Sequence, residues 1–596
     1  MTTTDADLTA SDVTWNLETL LGESSSVDAL LDEAKALAAE LESERGKIGS
    51  MDAASLASMM TKLGQLNEVT SRAGHYGMLK FSENMGDPER AAQMQHIQEE
   101  ATAISSGLVF IELEVAAADD DQFNSVLKDK RLDFCRHYLE NVRRTRPYML
   151  SESEEKILIE TSVSGSNSWV RLFSEQTSAI EVDSPLGDDG TVSLEEGLAG
   201  LQNSDREVRA KASEVVTKGL EPGLRTRAFI YNTLLVDKSI DDRLRGFDTW
   251  LSSRNLSNEA TDESVSALVD AVVSRYDIPQ RWYRLKAKVL SIDKLADYDR
   301  MAPIAPSESK VGWAEATEIV RDAYSSFSPE LAGVIGEFID EGWIDAPIRP
   351  GKQPGAFCAY TVPSHHPYVL LNWTGQHRDV LTLAHELGHG AHAYLSRKQG
   401  VFHHSTPLTL AETASVFGET VTNKRLVSQV SDPLAKFSLL ASTIDDSIAT
   451  VFRQVAMNRF EGLCHNARRD TGEISVDGLN EFWMQSQREM VADSVELTEN
   501  YSSWWSYIPH FIGTPGYVYA YAYGQLLSLS VYAQYEKTGD SFVPAYLELL
   551  GAGGSMSPED LASIVNCDLA DPSFWVSGLE IVDRQLTEAE AAAKLL

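Results

Sequence analysis

Cysteine is scarce in this chain: the four residues, Cys135, Cys358, Cys464 and Cys567, are widely separated among 596. None forms a C-x-x-C pair, so neither a thiolate zinc site nor a disulfide framework is indicated, and reduced thiols in a cytosolic protein fit best. No run approaches the ~18 consecutive apolar residues that a membrane-spanning helix requires. The first fifteen residues are acidic and lack the basic and apolar regions of a secretory signal. A soluble, cytoplasmic protein is therefore expected. Positive charge is also in short supply: 51 Lys and Arg against 89 Asp and Glu leave a net charge of -38. Such a surface repels nucleic-acid phosphates and anionic membranes and favours neutral or basic partners. Solubility, or life in a salty cytoplasm, explains the same acidity without any partner.

At 596 residues the chain is too long for one hydrophobic core, so two or more lobes are expected. Most of it reads as helix. Residues 27–44 place apolar side chains three and four apart, and 52–66, 88–115, 153–163 and 205–216 repeat the pattern. Ser151 followed by Glu154 is a capping-box signature, and the Ala-rich end at 588–596 is a strong helix former. Turn formers gather at 183–190 and 303–309. Residues 349–361 are rich in Gly and Pro before turning apolar, and 368–373 (YVLLNW) reads as a short buried strand. One β patch in a mainly helical chain thus shortly precedes the strongest chemical motif.

That motif is H-E-x-x-H, within LTLAHELGHGAHAYLS at 381–396: His385, Glu386 and His389. On a helix, residues four apart are separated by about 400° and ~6 Å of rise, so both imidazoles project from one face, as two ligands of one zinc must. Glu386, about 100° away, falls beside the metal, where it can take a proton from a metal-activated water. Eight of the 13 histidines lie between His365 and His404, a clustering that scattered core histidines would not produce.

Catalytic zinc needs a third protein ligand and an open position. A metzincin would place a third histidine six residues after His389, where Leu395 stands. Glu412, in a second helical pattern (LTLAETASVFGET), is the better candidate, because helices joined by about ten residues can lie antiparallel. Glu419, two turns on, shares its face; it either orients His385 or His389 by a hydrogen bond or is an ordinary exposed helix residue. His392 falls on the neighbouring flank and reads as a packed histidine. His365, His366, His403 and His404 sit in turn-like segments, as surface loop or substrate contact. Peptide hydrolysis also needs a donor to the tetrahedral oxyanion. His510 and Tyr517, Tyr519, Tyr521 and Tyr523 offer one, with Tyr517 and Tyr521 on one helical face and Tyr519 and Tyr523 on another. Core packing is the ordinary role of any single tyrosine there, and which hydroxyl acts is open.

RPGKQPGAF at 349–357, HELGH at 385–389, Glu412 within AETAS, and PHFIGTPGYVYAYAYG at 509–524 occur in order. Together with NSDREVRAKA at 203–212, YRLKAKVL at 283–290 and WNLETL near the start, they resemble the oligoendopeptidase F branch of the thimet oligopeptidase family of zinc metallopeptidases. The resemblance covers nearly the whole chain. It implies a mainly α, two-lobed helical metallopeptidase with a deep substrate channel and a small β patch next to the HExxH helix. It also implies an N-terminal helical region (1–112), an oligopeptidase F-type N-terminal domain (113–190), a catalytic domain (200–582) and a tail (583–596). By the same match one Zn2+ per chain is held by His385, His389 and Glu412, with Glu386 as general base. His510 and Tyr517, with Tyr521 added, take the substrate- and oxyanion-binding positions, and Gly355 and Ala356 belong to a loop whose backbone pairs with extended substrate. The implied activity is endopeptidase cleavage of short unfolded peptides. The alternatives are a metal-dependent carboxypeptidase and a non-enzymatic peptide-binding scaffold; oligomeric state is not indicated.

Overall fold

The periodic segments fold as helices in the computed structural model, which describes residues 5–22, 26–162, 164–186, 190–304 and 310–595. Their starts are set by capping side chains. Ser26 Oγ accepts the Ala29 N–H at 3.2 Å ahead of Val27–Glu42, and Asp52 accepts that of Ser55 at 2.8 Å ahead of Ala53–Glu83. The Ser151 box closes in both directions: Ser151 N–H donates to Glu154 Oε2 at 2.9 Å and Glu154 N–H donates back to Ser151 Oγ at 3.4 Å. The turn-rich stretches 183–190 and 303–309 fall partly outside the described residues. No single described helix is long and apolar enough to cross a membrane, and all four cysteines are free thiols.

The chain forms two units, each built from three segments: Met1–Arg146, Glu308–Ser428 and Val531–Asp568 make one, and Pro147–Ser307, Gln429–Ser530 and Leu569–Leu596 the other. In the first, Leu30, Leu31, Ala34, Ala38 and Leu41 line one face of Val27–Glu42 and pack on Leu56, Met60 and Leu63 of Ala53–Glu83. This core continues into Ala359, Val362, Tyr368 and Leu370, and Trp15 meets Tyr368 edge to face at 5.8 Å. The N-terminal helices therefore underlie a three-stranded sheet. Its central strand Tyr368–Leu370 runs parallel to Ile344–Asp345 and antiparallel to Phe357–Ala359, which is left at an edge. The extended backbone continues past Leu370, with Leu371 and Trp373 N–H groups donating to Asp345 and Ala346 carbonyls at 2.9 Å each. The helix His377–Ser396 packs on the edge strand, so the β patch does adjoin the HExxH helix.

The loop before that strand is tied down by one buried cation. Lys352 Nζ donates to the carbonyls of Asp345 (3.1 Å), Pro347 (2.9 Å) and Leu371 (2.6 Å), and pairs with the buried Asp345 carboxylate at 2.8 Å. Asn372 Nδ2 adds bonds to the Gln353 and Gly355 carbonyls at 2.9 and 2.8 Å.

The second unit has its own aromatic core, in which Tyr231, Phe460, Trp483, Trp505 and Phe511 meet. Its buried Asp299 is compensated by Arg206 and Arg209, 2.9 Å away each, and by the Ala296 N–H at 2.9 Å, as a charge taken out of water requires.

Replacing Lys352 by Met takes this donor from the Pro347 and Leu371 carbonyls and removes one of two cations from Asp345. We expect a loss of about 3 kcal/mol, seen as a lower first transition in thermal unfolding followed by circular dichroism.

Candidate metal centre and catalytic groups

The HExxH helix begins where Asp379 accepts the N–H groups of Thr374 and Gln376 at 2.8 and 3.0 Å. Val380, Leu383, Ala384, Leu387 and Ala391 bury one side of it. His385 and His389 project together from the other, with ring centroids 5.0 Å apart. Glu412 meets them: its Oε2 lies 3.4 Å from His385 Nε2 and 3.5 Å from His389 Nε2. Donor atoms held ~2.0–2.1 Å from a tetrahedral zinc are roughly 3.3–3.4 Å apart. The two imidazoles and one carboxylate thus fit a divalent cation in donor type and in spacing, and they are the one such group of three among the described residues.

Glu412 is not within a continuous helix, as the periodicity of its segment predicts. The helix Leu408–Ala411 ends at Glu412 (φ -83°, ψ -1°), and a second begins at Ser415 and runs to Gln429. The break turns the carboxylate toward the histidines and is fixed from several sides. Ser415 Oγ donates to Glu412 Oε2 at 2.6 Å, and buried Tyr546 donates to the Thr413 carbonyl at 3.1 Å. The HExxH helix approaches here so closely that a Cβ on Gly388 would lie 2.6 Å from Ser415 Cα. Only glycine fits. Tyr324 adds a bond from its hydroxyl to the Ala384 carbonyl at 2.8 Å, fixing the helix from behind.

The histidines are oriented from outside the donor set. Glu419 Oε2 lies 3.3 Å from His385 Nδ1, within reach for orienting that ring, and the Ala411 carbonyl hydrogen-bonds the His389 ring. Burial works to lower the His385 pKa, but Glu419, Glu412 and Glu386 overcome it and raise it to about 9. Burial and the neighbouring His385 push His389 down, against the pull of Glu412. Glu386, buried beside them, is raised to about 7 by burial and by Glu412, with His385 opposing.

The other histidines that the sequence singles out near the motif pack against neighbours. His392 is buried, as its flank position predicts. His403 and His404, which the sequence places in a turn as surface or substrate contacts, are buried as well; His404 Nε2 lies 3.1 Å from the Ala393 carbonyl and His403 Nε2 accepts the Tyr138 N–H at 3.3 Å. His366 stacks on Trp343 at 4.1 Å, and His365 Nε2 meets the Tyr368 hydroxyl at 3.0 Å. Gly355 and Ala356 lead directly into the edge strand Phe357–Ala359, Gly355 exposed and Ala356 half-buried.

In the second unit, His510, Tyr517 and Tyr521 come together. His510 Nε2 is 3.1 Å from the Tyr521 hydroxyl, and the Tyr517 ring lies 6.4 Å from His510 and 5.2 Å from Tyr521. Burial lowers the His510 pKa and so disfavours the charged ring. Tyr519 and Tyr523 point the other way. Both are fully buried, Tyr519 between Asn255 (2.7 Å) and Asn258 (3.0 Å) and Tyr523 against Ser264 (3.3 Å). They are core. The sequence reading did not find Gly388, Ser415, Tyr546 or Ala411 as supports of the site; the glycine inside HELGH was the one available signal.

A helix-borne H-E-x-x-H with a glutamate from the following helix defines a metallopeptidase centre. Residues 200–581 match the sequence profile of peptidase family M3 and residues 114–181 that of oligopeptidase F. The chain belongs to peptidase family M3, and it is a metalloendopeptidase. It is 24% identical over 583 residues to oligopeptidase PepF of Bacillus subtilis, covering 97% of this chain and 87% of that one. It is 25% identical over 535 residues to an oligoendopeptidase F homologue of Borreliella burgdorferi, covering 89% and 90%. Among solved structures, a Chlamydophila abortus chain superposes with a TM-score of 0.87 at 23% identity, covering 97% of this chain and 98% of that one. Oligoendopeptidase-F from Enterococcus faecium superposes with a TM-score of 0.72 at 20% identity, covering 96% and 99%. Both share the mainly helical fold.

Two predictions follow from the geometry. Gly388→Ala should push the 412–415 turn away and weaken divalent-metal binding by ~10–100-fold at unchanged helix content, read by competition with a chelator. Because the neighbouring carboxylates raise the His385 pKa, metal binding at pH 7 should release protons, and affinity should fall as pH drops. Calorimetry in buffers of different ionisation enthalpy measures both.

Proposed function

We propose that the chain is a zinc endopeptidase that hydrolyses internal bonds of short unfolded peptides, with one Zn2+ held by His385, His389 and Glu412 and with Glu386 as general base. The observation that carries this reading is the 3.4 and 3.5 Å spacing of the three donors with a buried carboxyl alongside. When bound, zinc supplies Lewis-acid polarisation of a water and of the scissile carbonyl. Glu386, ionised, accepts a proton from the attacking water and passes it to the leaving amine, so no covalent intermediate is required. Its placement near neutrality suits both transfers. His510 and the Tyr517 and Tyr521 hydroxyls are assigned donation to the oxyanion, on their chemistry and on the family resemblance. Gly355 and Ala356 are assigned backbone pairing with extended substrate. The support is the free edge of Phe357–Ala359 and the bonds that hold the preceding loop.

The same reading takes 200–582 as the catalytic domain, after an N-terminal helical region (1–112) and an oligopeptidase F-type domain (113–190) and before a tail (583–596). The family matches at 200–581 and 114–181 support it. A cytoplasmic location belongs to it too, supported by four free thiols.

Glu386→Gln should keep one zinc per chain by elemental analysis and lose at least ~10³ in kcat; near-normal turnover would remove Glu386 from its role. Internally quenched peptides of increasing length, with C-termini blocked and with or without a chelator, test the rest. Cleavage should be metal-dependent and should decline for long or folded substrates. A carboxypeptidase would leave the blocked peptides intact.

A further inference from the structure

The turn that carries Tyr517 is gripped at two adjacent backbone groups by side chains that the reaction scheme does not use. The Gly516 N–H donates to Glu461 Oε1 at 2.9 Å, and the Pro515 carbonyl accepts from Arg254 Nε at 3.3 Å. The Arg254 guanidinium also lies 5.9 Å from the centre of the Tyr517 ring. Glu461 belongs to the helix Arg453–Asp470 and Arg254 to the short helix Ser252–Ser257, so the turn is held from two independent elements.

The seat is shaped for this turn. Gly516 has φ +74°, a conformation that other residues rarely adopt, and a Cβ there would lie 2.9 Å from Leu251 Cδ2 and 3.4 Å from Trp250. Trp250 is itself stacked on buried His465 at 4.5 Å. Three residues after Gly516, Tyr519 is fastened to Asn255 and Asn258 beside the same short helix. Everything on the inner side of 515–519 is thereby fixed, while His510 and Tyr521 meet one another on the outer side.

Glu461 is an expensive choice for holding one amide. It is fully buried, and its second oxygen makes no hydrogen bond. The ionisable groups beside it are Arg254, Tyr231 and Cys464. Burial pushes its carboxyl up to about 8, so near neutrality it acts as a neutral acid accepting the Gly516 N–H, a role that glutamine reproduces and leucine does not. A leucine would fill the same interior space without an acceptor, so packing alone does not call for a carboxyl.

We propose that Glu461 and Arg254 are positioning residues for catalysis, a two-point clamp on the Pro515–Gly516 peptide that sets Tyr517 and, through the turn, His510. The proposal rests on the role assigned above to those two side chains. Neither clamp residue touches substrate. Both act through the backbone, where an error of about 1 Å at a reacting group costs on the order of 10² in rate.

The test compares Glu461→Leu, Glu461→Gln and Arg254→Met in the full chain loaded with zinc. Expected for Glu461→Leu is a fall in kcat of ~10–100-fold with KM within about threefold, at unchanged zinc content. Glu461→Gln should remain within about threefold of the parent, and Arg254→Met, a half-buried position less prone to misfolding, should fall in kcat as the leucine variant does. Hydrogen exchange provides a readout independent of turnover: the Gly516 and Tyr517 amides should lose protection in Glu461→Leu and Arg254→Met and keep it in Glu461→Gln. Folded leucine and methionine variants with parental kcat, unchanged protection at these amides, or a glutamine variant as impaired as the leucine one would each overturn the clamp. Were the parent to cleave no peptide, the functional reading would fail, and the exchange data would still decide whether the two residues hold the turn.

Discussion

The contact on which the metal centre depends is the approach of the 412–415 turn to the HExxH helix at Gly388. An H-E-x-x-H helix alone presents two imidazoles and can hold a cation only weakly. The third donor, Glu412, reaches the histidines because a backbone without a side chain lets the 412–415 segment come within van der Waals distance, and because the helix carrying Glu412 stops at that residue. Ser415, Tyr546 and Tyr324 then secure a geometry that the two helices would not otherwise hold. The electrostatics follow from the packing. Three carboxylates around two half-buried imidazoles favour a positive charge between them, and they raise the His385 pKa against the pull of burial.

A separate economy governs the rest of the first unit. Buried Lys352 gathers three carbonyls and a carboxylate around one cation, and the loop it anchors leads into an edge strand of three residues. Rigidity at that edge comes from side chains deep in the unit and not from strand length, so a short strand suffices to present an ordered backbone.

Much of this was legible in the sequence. The pair His385 and His389 follows from a four-residue spacing, and Glu412 from the need for a third ligand and the length of the connecting loop. The helices at 27–42 and 206–220 follow from apolar periodicity and caps. What escaped was decided by tertiary contact. LTLAETASVFGET is periodic throughout, yet its helix breaks at Glu412 because the turn must meet Gly388. His403 and His404 sit in a stretch that reads as turn but is covered by packing. Four tyrosines at alternate positions look equivalent until Asn255 and Asn258, some 260 residues away in sequence, claim Tyr519. Glu461 carries no local signal at all. It is one acidic residue in a helix, and only its distance to Gly516 gives it meaning.

The interleaved segments of the first unit bear on how the protein is made. Tyr546, which braces the 412–415 turn, lies in the third of those segments, 133 residues away in sequence from the Thr413 carbonyl it holds. The turn is therefore translated well before its brace exists. Helical hairpins near the N-terminus form early from local contacts, but the centre must wait for pairings of high sequence separation, which are slow to find. A cation that met the two histidines before that pairing would find only part of the donor set.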